Sequence, residues 1–301
     1  MKVPSTLSQW SLDVVKALLH KGVFESDAFD FKKSLPHSKD EEGKRRLRKT
    51  IVAFANSGGG FLIFGVRDDK GLSVNDRLVG IDKQYDFPAN FGNYPASCQP
   101  CVEWEFLNPP IPVGVGDKVL HICEIKSTWK RPHAVLQDGA FIFPKRTNKG
   151  NEDMSYSELK GAFQEAEYRR TKLALLISEL EHITESAQRL LDNVPKKLPK
   201  IEGTLHWAWA TRYSTTLLDM VLGDTYSFIA EDPELWKLLC LIRESASHSN
   251  AACEAFSNIV FLAMSNREKI DQQHYDTVRQ CAINIVDASR KAMEKIERFL
   301  I

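Results

Sequence analysis

The sequence predicts an α+β domain over residues 1–155 followed by an all-helical bundle over residues 156–301. Three observations carry this expectation. Apolar residues in the first half switch between a spacing near 3.6 and a spacing of 2, as a mixed fold requires. The second half keeps helical spacing almost throughout, with only Thr225–Phe228 strand-like. The 301 residues are enough for two domains of ordinary size.

Taken in order, Leu12, Val15, Leu18 and Leu19 predict a helix that stops at Gly22, a C′ glycine. Ala28–Lys32 alternates, with Phe29 and Phe31 on one face and Asp30 and Lys32 on the other. Ser38 and Glu41 form a capping box for a helix that buries Leu47, Ile51, Phe54 and Ala55. That helix ends in Asn56-Ser57-Gly58-Gly59-Gly60, and a strand over Phe61–Val66 runs into the turn Arg67–Gly71. Further strands are expected at Val102–Phe106 and Val119–Ile125, with a hairpin around Asp138-Gly139 that pairs Ala134–Leu136 with Ala140–Phe143. A second capping box, Ser155 with Glu158, opens a helix to about Asp192. Pro195–Pro199 is a break, and helical patterns resume over roughly 204–222, 232–246, 250–265 and 271–300. Polar Ser247–Asn250 separates two of them. Trp207, Trp209 and Trp236 are expected in the bundle core or at an interface.

Forty Lys plus Arg against forty Asp plus Glu leave no formal net charge, and 43% apolar with 27% charged residues describes a soluble globular chain. Disordered and fibrous classes are excluded, and the chain lacks the run of about 18 apolar residues that spanning a bilayer requires. No membrane partner is expected. The N-terminus carries no apolar signal segment, so the six cysteines are expected reduced and the protein cytoplasmic. Residues 1–155 hold 22 basic and 19 acidic residues, a balance of +3, and the second half has the opposite balance. The clusters matter more. Lys44, Arg45, Arg46, Arg48 and Lys49 fall within six residues, and Lys126–Lys149 holds six cations against Asp138 alone. Either these supply the electrostatic footprint of a phosphate backbone, or they are a solvated helix face and a solvated hairpin.

The run Lys49-Thr50-Ile51-Val52-Ala53-Phe54-Ala55-Asn56-Ser57-Gly58-Gly59-Gly60-Phe61-Leu62-Ile63-Phe64-Gly65-Val66-Arg67-Asp68-Asp69 is distinctive. Val79-Gly80-Ile81, Lys130-Arg131-Pro132 and Asp138–Arg146 follow it in order. With Glu25 and Asp30-Phe31-Lys32 upstream, the region over roughly 23–165 resembles the Schlafen-type, AlbA-like nucleic-acid-binding domain. The helical remainder carries no such resemblance.

The resemblance implies nucleic-acid binding, and for some Schlafen proteins a divalent-metal-dependent endoribonuclease that acts on structured RNA such as tRNA through three carboxylates. In this sequence the pattern reads Glu25, Asp30 and Asp68 as ligands of Mg²⁺ or Mn²⁺, with Lys32 stabilising charge on the phosphate. Asp30 stands where the family usually has Glu. The chemistry is coherent, because hard divalent ions prefer carboxylate oxygens and neutralise charge that develops during phosphodiester cleavage. The RNA backbone would be held by Lys44, Arg45, Arg46, Arg48, Lys49, Lys145, Arg146 and Lys149. The alternative is a non-catalytic nucleic-acid-binding or regulatory module whose helical domain recruits a protein partner or a second copy.

Three other constellations have the look of chemical sites. Gly58-Gly59-Gly60 lacks the Lys-Ser/Thr of a phosphate-binding loop and follows a helix instead of preceding one, so no ATP site is expected. Cys98 and Cys101, with His121 and Cys123 alternating onto one strand face, have zinc-ligand spacing, against the plain reading of buried strand residues. Arg243 and His248 have the spacing of helical HEPN-type ribonucleases, against a capping role.

Overall fold

The computed structural model describes residues 3–20, 28–69, 71–114, 116–128, 130–193, 212–223, 229, 232–266 and 272–300. The chain divides into two units, Met1–Ala166 and Glu167–Ile301. A mixed α/β arrangement fills the first and helices fill the second, which is the class expected.

In the first unit, α1 (Leu12–His20) precedes β1 (Phe29–Lys32), α2 (Glu41–Asn56) and β2 (Gly60–Phe64). A short α3 (Val74–Arg77), β3 (Ile81–Asp82) and α4 (Phe87–Ala96) follow. The remaining strands are β4 (Trp104–Phe106), β5 (Ile111–Pro112), β6 (Lys118–Ile125), β7 (Val135–Gln137), β8 (Ala140–Ile142), β9 (Pro144–Thr147) and β10 (Gly150–Asp153). The eight-residue β6 is the spine of a six-stranded sheet. Cys123 pairs with both Leu62 and Phe106, and Val119 with both Ile81 and Pro112. Hence β2 and β3 occupy one edge of β6, and β4 and β5 the other. On the far side of β2 lies β1, parallel to it, with Asp30 opposite Leu62.

The strands are apolar on both faces because helices cover both. Phe29, Phe31, Phe61, Ile63, Leu120 and Ile122 pack with Trp10 and the Val15, Leu18 and Leu19 stripe of α1. Leu62, Phe64, Cys123 and Ile125 face the other way, onto Leu47, Ile51, Phe54 and Ala55 of α2 and Phe87 and Phe91 of α4. Asp30 and Lys32 therefore project toward the α2 side, at the edge of that second core.

Several expectations change in detail. The cap of α2 is Asp40, whose Oδ1 accepts from the Gly43 N–H at 2.8 Å. Glu41 instead takes Lys44, whose Nζ also reaches the Ser38 carbonyl, so the Ser38–Glu41 box is not formed. The Ser155–Glu158 box does form: Ser155 N–H donates to Glu158 at 2.9 Å and Glu158 N–H to Ser155 Oγ at 3.4 Å. Beyond Asn56 the chain reverses through Gly58 and Gly59, both at positive φ, and a Cβ on Gly59 would stand 2.8 Å from the Ile125 carbonyl oxygen. The glycines thus end a helix and let β2 start beside β6.

In the second unit the continuation of α5 (Tyr156–Asn193) is joined by α6 (Thr216–Gly223), α7 (Pro233–Asn266) and α8 (Gln272–Leu300). Buried positions recur three and four apart: Leu173, Leu176, Leu180, Ile183, Ala187 and Leu190 in α5, and Ala282, Ile285, Ala288 (or Ser289), Ala292 and Ile296 in α8. The separation expected at Ser247–Asn250 is absent. α7 runs through it because its buried stripe continues from Ile242 and Ala246 to Ser249 and Cys253, leaving Ser247 and His248 outside. The helix expected from about 204 starts at Thr216 in the described part, and Tyr213 before it is held by two hydrogen bonds to the Asn250 side chain. Trp236 packs against the helical core, as expected. Gly22, Pro195–Pro199, Trp207, Trp209 and Thr225–Phe228 lie outside the described residues. No described helix is long and apolar enough to cross a membrane.

Gly65 ends β2 at φ +98, and its N–H joins that of Val66 on the Lys32 carbonyl. A Cβ there would meet Leu120 Cδ2 at 2.8 Å and Gly80 Cα at 3.0 Å. Gly65→Ala should destabilise the first unit by about 1–3 kcal/mol through forced backbone strain. Urea unfolding read by far-UV circular dichroism would show a lower midpoint with an unchanged slope.

Candidate functional site

β1 carries the acid and the cation that the motif singles out. Asp30 is 1% exposed. Burying a carboxylate is costly unless it is paired and hydrogen-bonded. Here Oδ1 accepts from Lys32 Nζ at 2.8 Å, and Oδ2 faces Arg146 Nη1 at 3.5 Å. Period-2 alternation places Lys32 on the same face, while parallel pairing with β2 fixes the strand in the sheet.

Arg146 enters from β9. It was expected on the RNA backbone, but its side chain is buried, so from this position it presents no charge to an external phosphate. Its guanidinium lies 4.9 Å from the Phe54 ring centroid and donates to Asn151 Oδ1 at 2.9 Å. Asn151, on β10, donates to Thr50 Oγ1 of α2, and the Arg146 N–H donates to Ser57 Oγ at 2.8 Å. Asn56 completes the seam: its Nδ2 donates to the carbonyls of His133 and Pro144, and its Oδ1 accepts from the His133 N–H. The Phe-Ala-Asn run therefore supplies a cation–π surface and a backbone clamp. Thr50 and Asn56 stand in the run that the sequence singles out, but the contacts they make with Asn151, His133 and Pro144 were not visible there, because polar side chains at scattered positions carry no periodic signal.

Glu25 lies outside the described residues. Asp68 is exposed past the end of β2, with Oδ1 3.7 Å from Arg77 Nη2. Asp69 accepts from the Gly71 N–H in a turn. As a ligand for Mg²⁺ or Mn²⁺, Asp30 fits poorly in this arrangement: each oxygen already faces a cation, and an added dication would meet both at close range.

The expected zinc ligands are not assembled. Among the described residues no three His, Cys, Asp or Glu side chains come together to hold a metal. Cys101 is exposed, while Cys98 is buried and donates to the Tyr94 carbonyl. Burial pushes the Cys98 thiol up to about 12 and raises that of Cys123, which opposes the thiolate form a metal needs. His121 is buried and stacks on Phe87 at 4.4 Å with an interplanar angle of 9°. Cys98, Cys123 and His121 belong to the sheet-to-α4 side of the core instead.

Most of the expected RNA-holding cations already face acids. Lys44 pairs with Glu41, Arg45 with Asp138 and Glu42, Arg46 with Glu42, Lys49 with Asp153, and Lys145 with Glu158. Hydrogen bonds from Lys145 and Ser155 hold the Glu158 carboxyl down at about 2. Arg48 and Lys149 make no ion pair with a described residue; the Arg48 Nε donates only to the Lys44 carbonyl, at 3.4 Å. In the helical unit, Arg243 is engaged by Asp219 at 2.5 Å, and His248 is exposed.

Arg48 also lines a cavity of about 410 Å³ between α2 and α4, together with Lys44, Tyr85, Asn90, Asn93 and Tyr94. Sequence reading passed over this wall because Pro88 and Pro95 obscure the helical period of α4, which Asp86 caps by accepting from the Ala89 N–H.

Residues 25–155 match the Schlafen, AlbA_2 family, the stretch over which the motif carried its resemblance. That match connects the region with nucleic-acid-related function. No curated protein matches the chain.

Burial lowers His121 to about 4 from an ordinary 6.5, and it lowers His133 as well. The unfolded chain therefore takes up these protons first. Acidification from pH 6.5 toward 4 should erode stability, and the His121 contribution should level off below about 4. His121→Gln should show a shallower fall of the urea midpoint across that window than the parent does.

Proposed function

We propose that the first unit is an RNA-binding module of the Schlafen type, in which Asp30 organises the fold and not a metal. The observation that carries binding over cleavage is the environment of Asp30, buried with a cation on each oxygen. The family match supports nucleic acid as the ligand class. Of the eight cations expected on the RNA backbone, Arg48 and Lys149 are the two that make no ion pair with a described residue, and their charge is available to phosphate.

A second reading keeps the endoribonuclease implied by the motif, with Glu25, Asp30 and Asp68 holding Mg²⁺ or Mn²⁺ and tRNA-like RNA as substrate. Its support is Lys32 beside Asp30 at 2.8 Å, the pairing of cation and carboxylate that such a site uses. The two readings differ in what they require of Asp30. Binding needs it as an ion-pair partner; cleavage needs it released from Lys32 and Arg146.

Fluorescence anisotropy with a structured RNA over a salt series, paired with gel analysis in Mn²⁺ and in EDTA, separates them. Binding should weaken linearly in log–log coordinates, and Lys149→Ala should lower the slope by about 0.7–0.9, one phosphate contact. Arg46→Ala, which removes a cation already matched by Glu42, should change it far less. The RNA should stay intact in Mn²⁺. Cleavage that needs Mn²⁺ and disappears in Asp30→Asn would transfer the assignment to the second reading.

A further inference from the structure

The cavity between α2 and α4 has a chemistry of its own. Its volume of about 410 Å³ lies within the range of about 300–1,000 Å³ typical of small-molecule sites. Two cations, two amides and two phenols contribute to its walls, and no Asp or Glu lines it. A site so lined selects an anion over a cation. Lys44 is partly neutralised by Glu41, but Arg48 brings a half-buried guanidinium that no described carboxylate pairs. Guanidinium planes suit phosphate oxygens, which they meet with two parallel hydrogen bonds.

The aromatic and amide groups add a second preference. Tyr85 is 43% exposed, yet its ring is steadied by an edge contact with Phe87 at 6.2 Å. Such a ring offers a flat face to a planar ligand at little conformational cost. Tyr94, deeper in the wall, is kept as a neutral phenol because burial raises its pKa against the pull of Lys44 and Arg48. Asn90 spends its Nδ2 on the Asp86 carbonyl at 2.6 Å, which leaves its side-chain oxygen as an acceptor. The Asn93 side chain makes no hydrogen bond with a described residue, so both of its amide functions remain for a ligand. Phosphate donors, an exposed ring and unspent amides within one nucleotide-sized space match the parts of a nucleotide.

We propose that this cavity is a one-nucleotide site, with the phosphate on Arg48 and Lys44, the base against Tyr85, and Asn90 and Asn93 on the base edge. The inference deepens the RNA-binding reading and rests on it: the nucleotide is an unpaired residue of a bound strand, held by stacking and not by helical shape. The same chemistry would admit a free nucleoside monophosphate.

Isothermal titration of the full chain with AMP, GMP, CMP and UMP, with adenosine and inorganic phosphate as half-ligands, tests the site directly. At least one nucleotide should bind more tightly than either half-ligand. Tyr85→Ala and Arg48→Ala should each weaken it by about tenfold, within the range for loss of one stacked base or one charge-assisted contact. Tyr85 is exposed, so a matching thermal melt for Tyr85→Ala keeps the result from reflecting misfolding. A short single-stranded octanucleotide that displaces the bound nucleotide identifies the strand as the source; failure to displace it assigns the site to a free nucleotide. If the parent binds RNA but no nucleotide, and Tyr85→Ala binds the octanucleotide like the parent, the cavity is not a nucleotide site while the RNA-binding reading stands. Failure to bind any RNA or nucleotide would remove both.

Discussion

A charged group on the inner face of an edge strand is the constraint around which the first unit is built. β1 turns Phe29 and Phe31 into the α1 side of the sheet, so period-2 geometry must turn Asp30 toward α2. A carboxylate in that position cannot remain alone. The chain answers with Lys32 from the same strand and Arg146 from a strand more than a hundred residues later. Arg146 in turn brings Asn151 to Thr50 and lies over Phe54. One buried charge thus ties β1, α2 and the β9–β10 hairpin together. Replacing such a network by apolar groups is often neutral in stability, so its contribution is best seen as specificity: it accepts one register of β9 against α2.

With α2 fixed from below, its upper face is free to divide its cations. The inner stripe of Leu47, Ile51, Phe54 and Ala55 belongs to the core. Arg45, Arg46 and Lys49 turn to acids at Glu42, Asp138 and Asp153, and their charge is spent within the unit. Arg48 falls on the side that faces α4 and enters a cavity with no acid in its walls. The same helix therefore spends one set of cations within the unit and leaves the Arg48 guanidinium without a described acid. In the proposed reading, what counts is which cation lacks an acid, not how many cations there are.

Much of this fold was legible in the sequence, and the reasons are specific. β1 alternates cleanly, β2 and β6 are near-continuous apolar runs, α2 has an unbroken stripe, and Asp138-Gly139 marks its hairpin through positive φ at both residues. The less legible parts broke those signals. α4 contains two prolines and a glycine, β9 and β10 are charged strands that pair only with each other, and α7 hides its continuity because a buried serine replaces an apolar residue. The shared strand face of Asp30 and Lys32 was legible in the sequence, and the burial of Arg146 was not. A cation in a basic run is ordinarily solvated. What reverses that for Arg146 is a carboxylate 116 positions away in the chain, a contact that only the folded sheet creates.

Asp30 and Arg146 face each other as buried structural partners. A double-mutant cycle in urea, with Asp30→Asn, Arg146→Met and the pair, measures this coupling without reference to any ligand. The double variant should be less destabilised than the sum of the singles, by about 1–3 kcal/mol. Strictly additive effects would contradict it, because Asp30 would then be held for a purpose that Arg146 does not share.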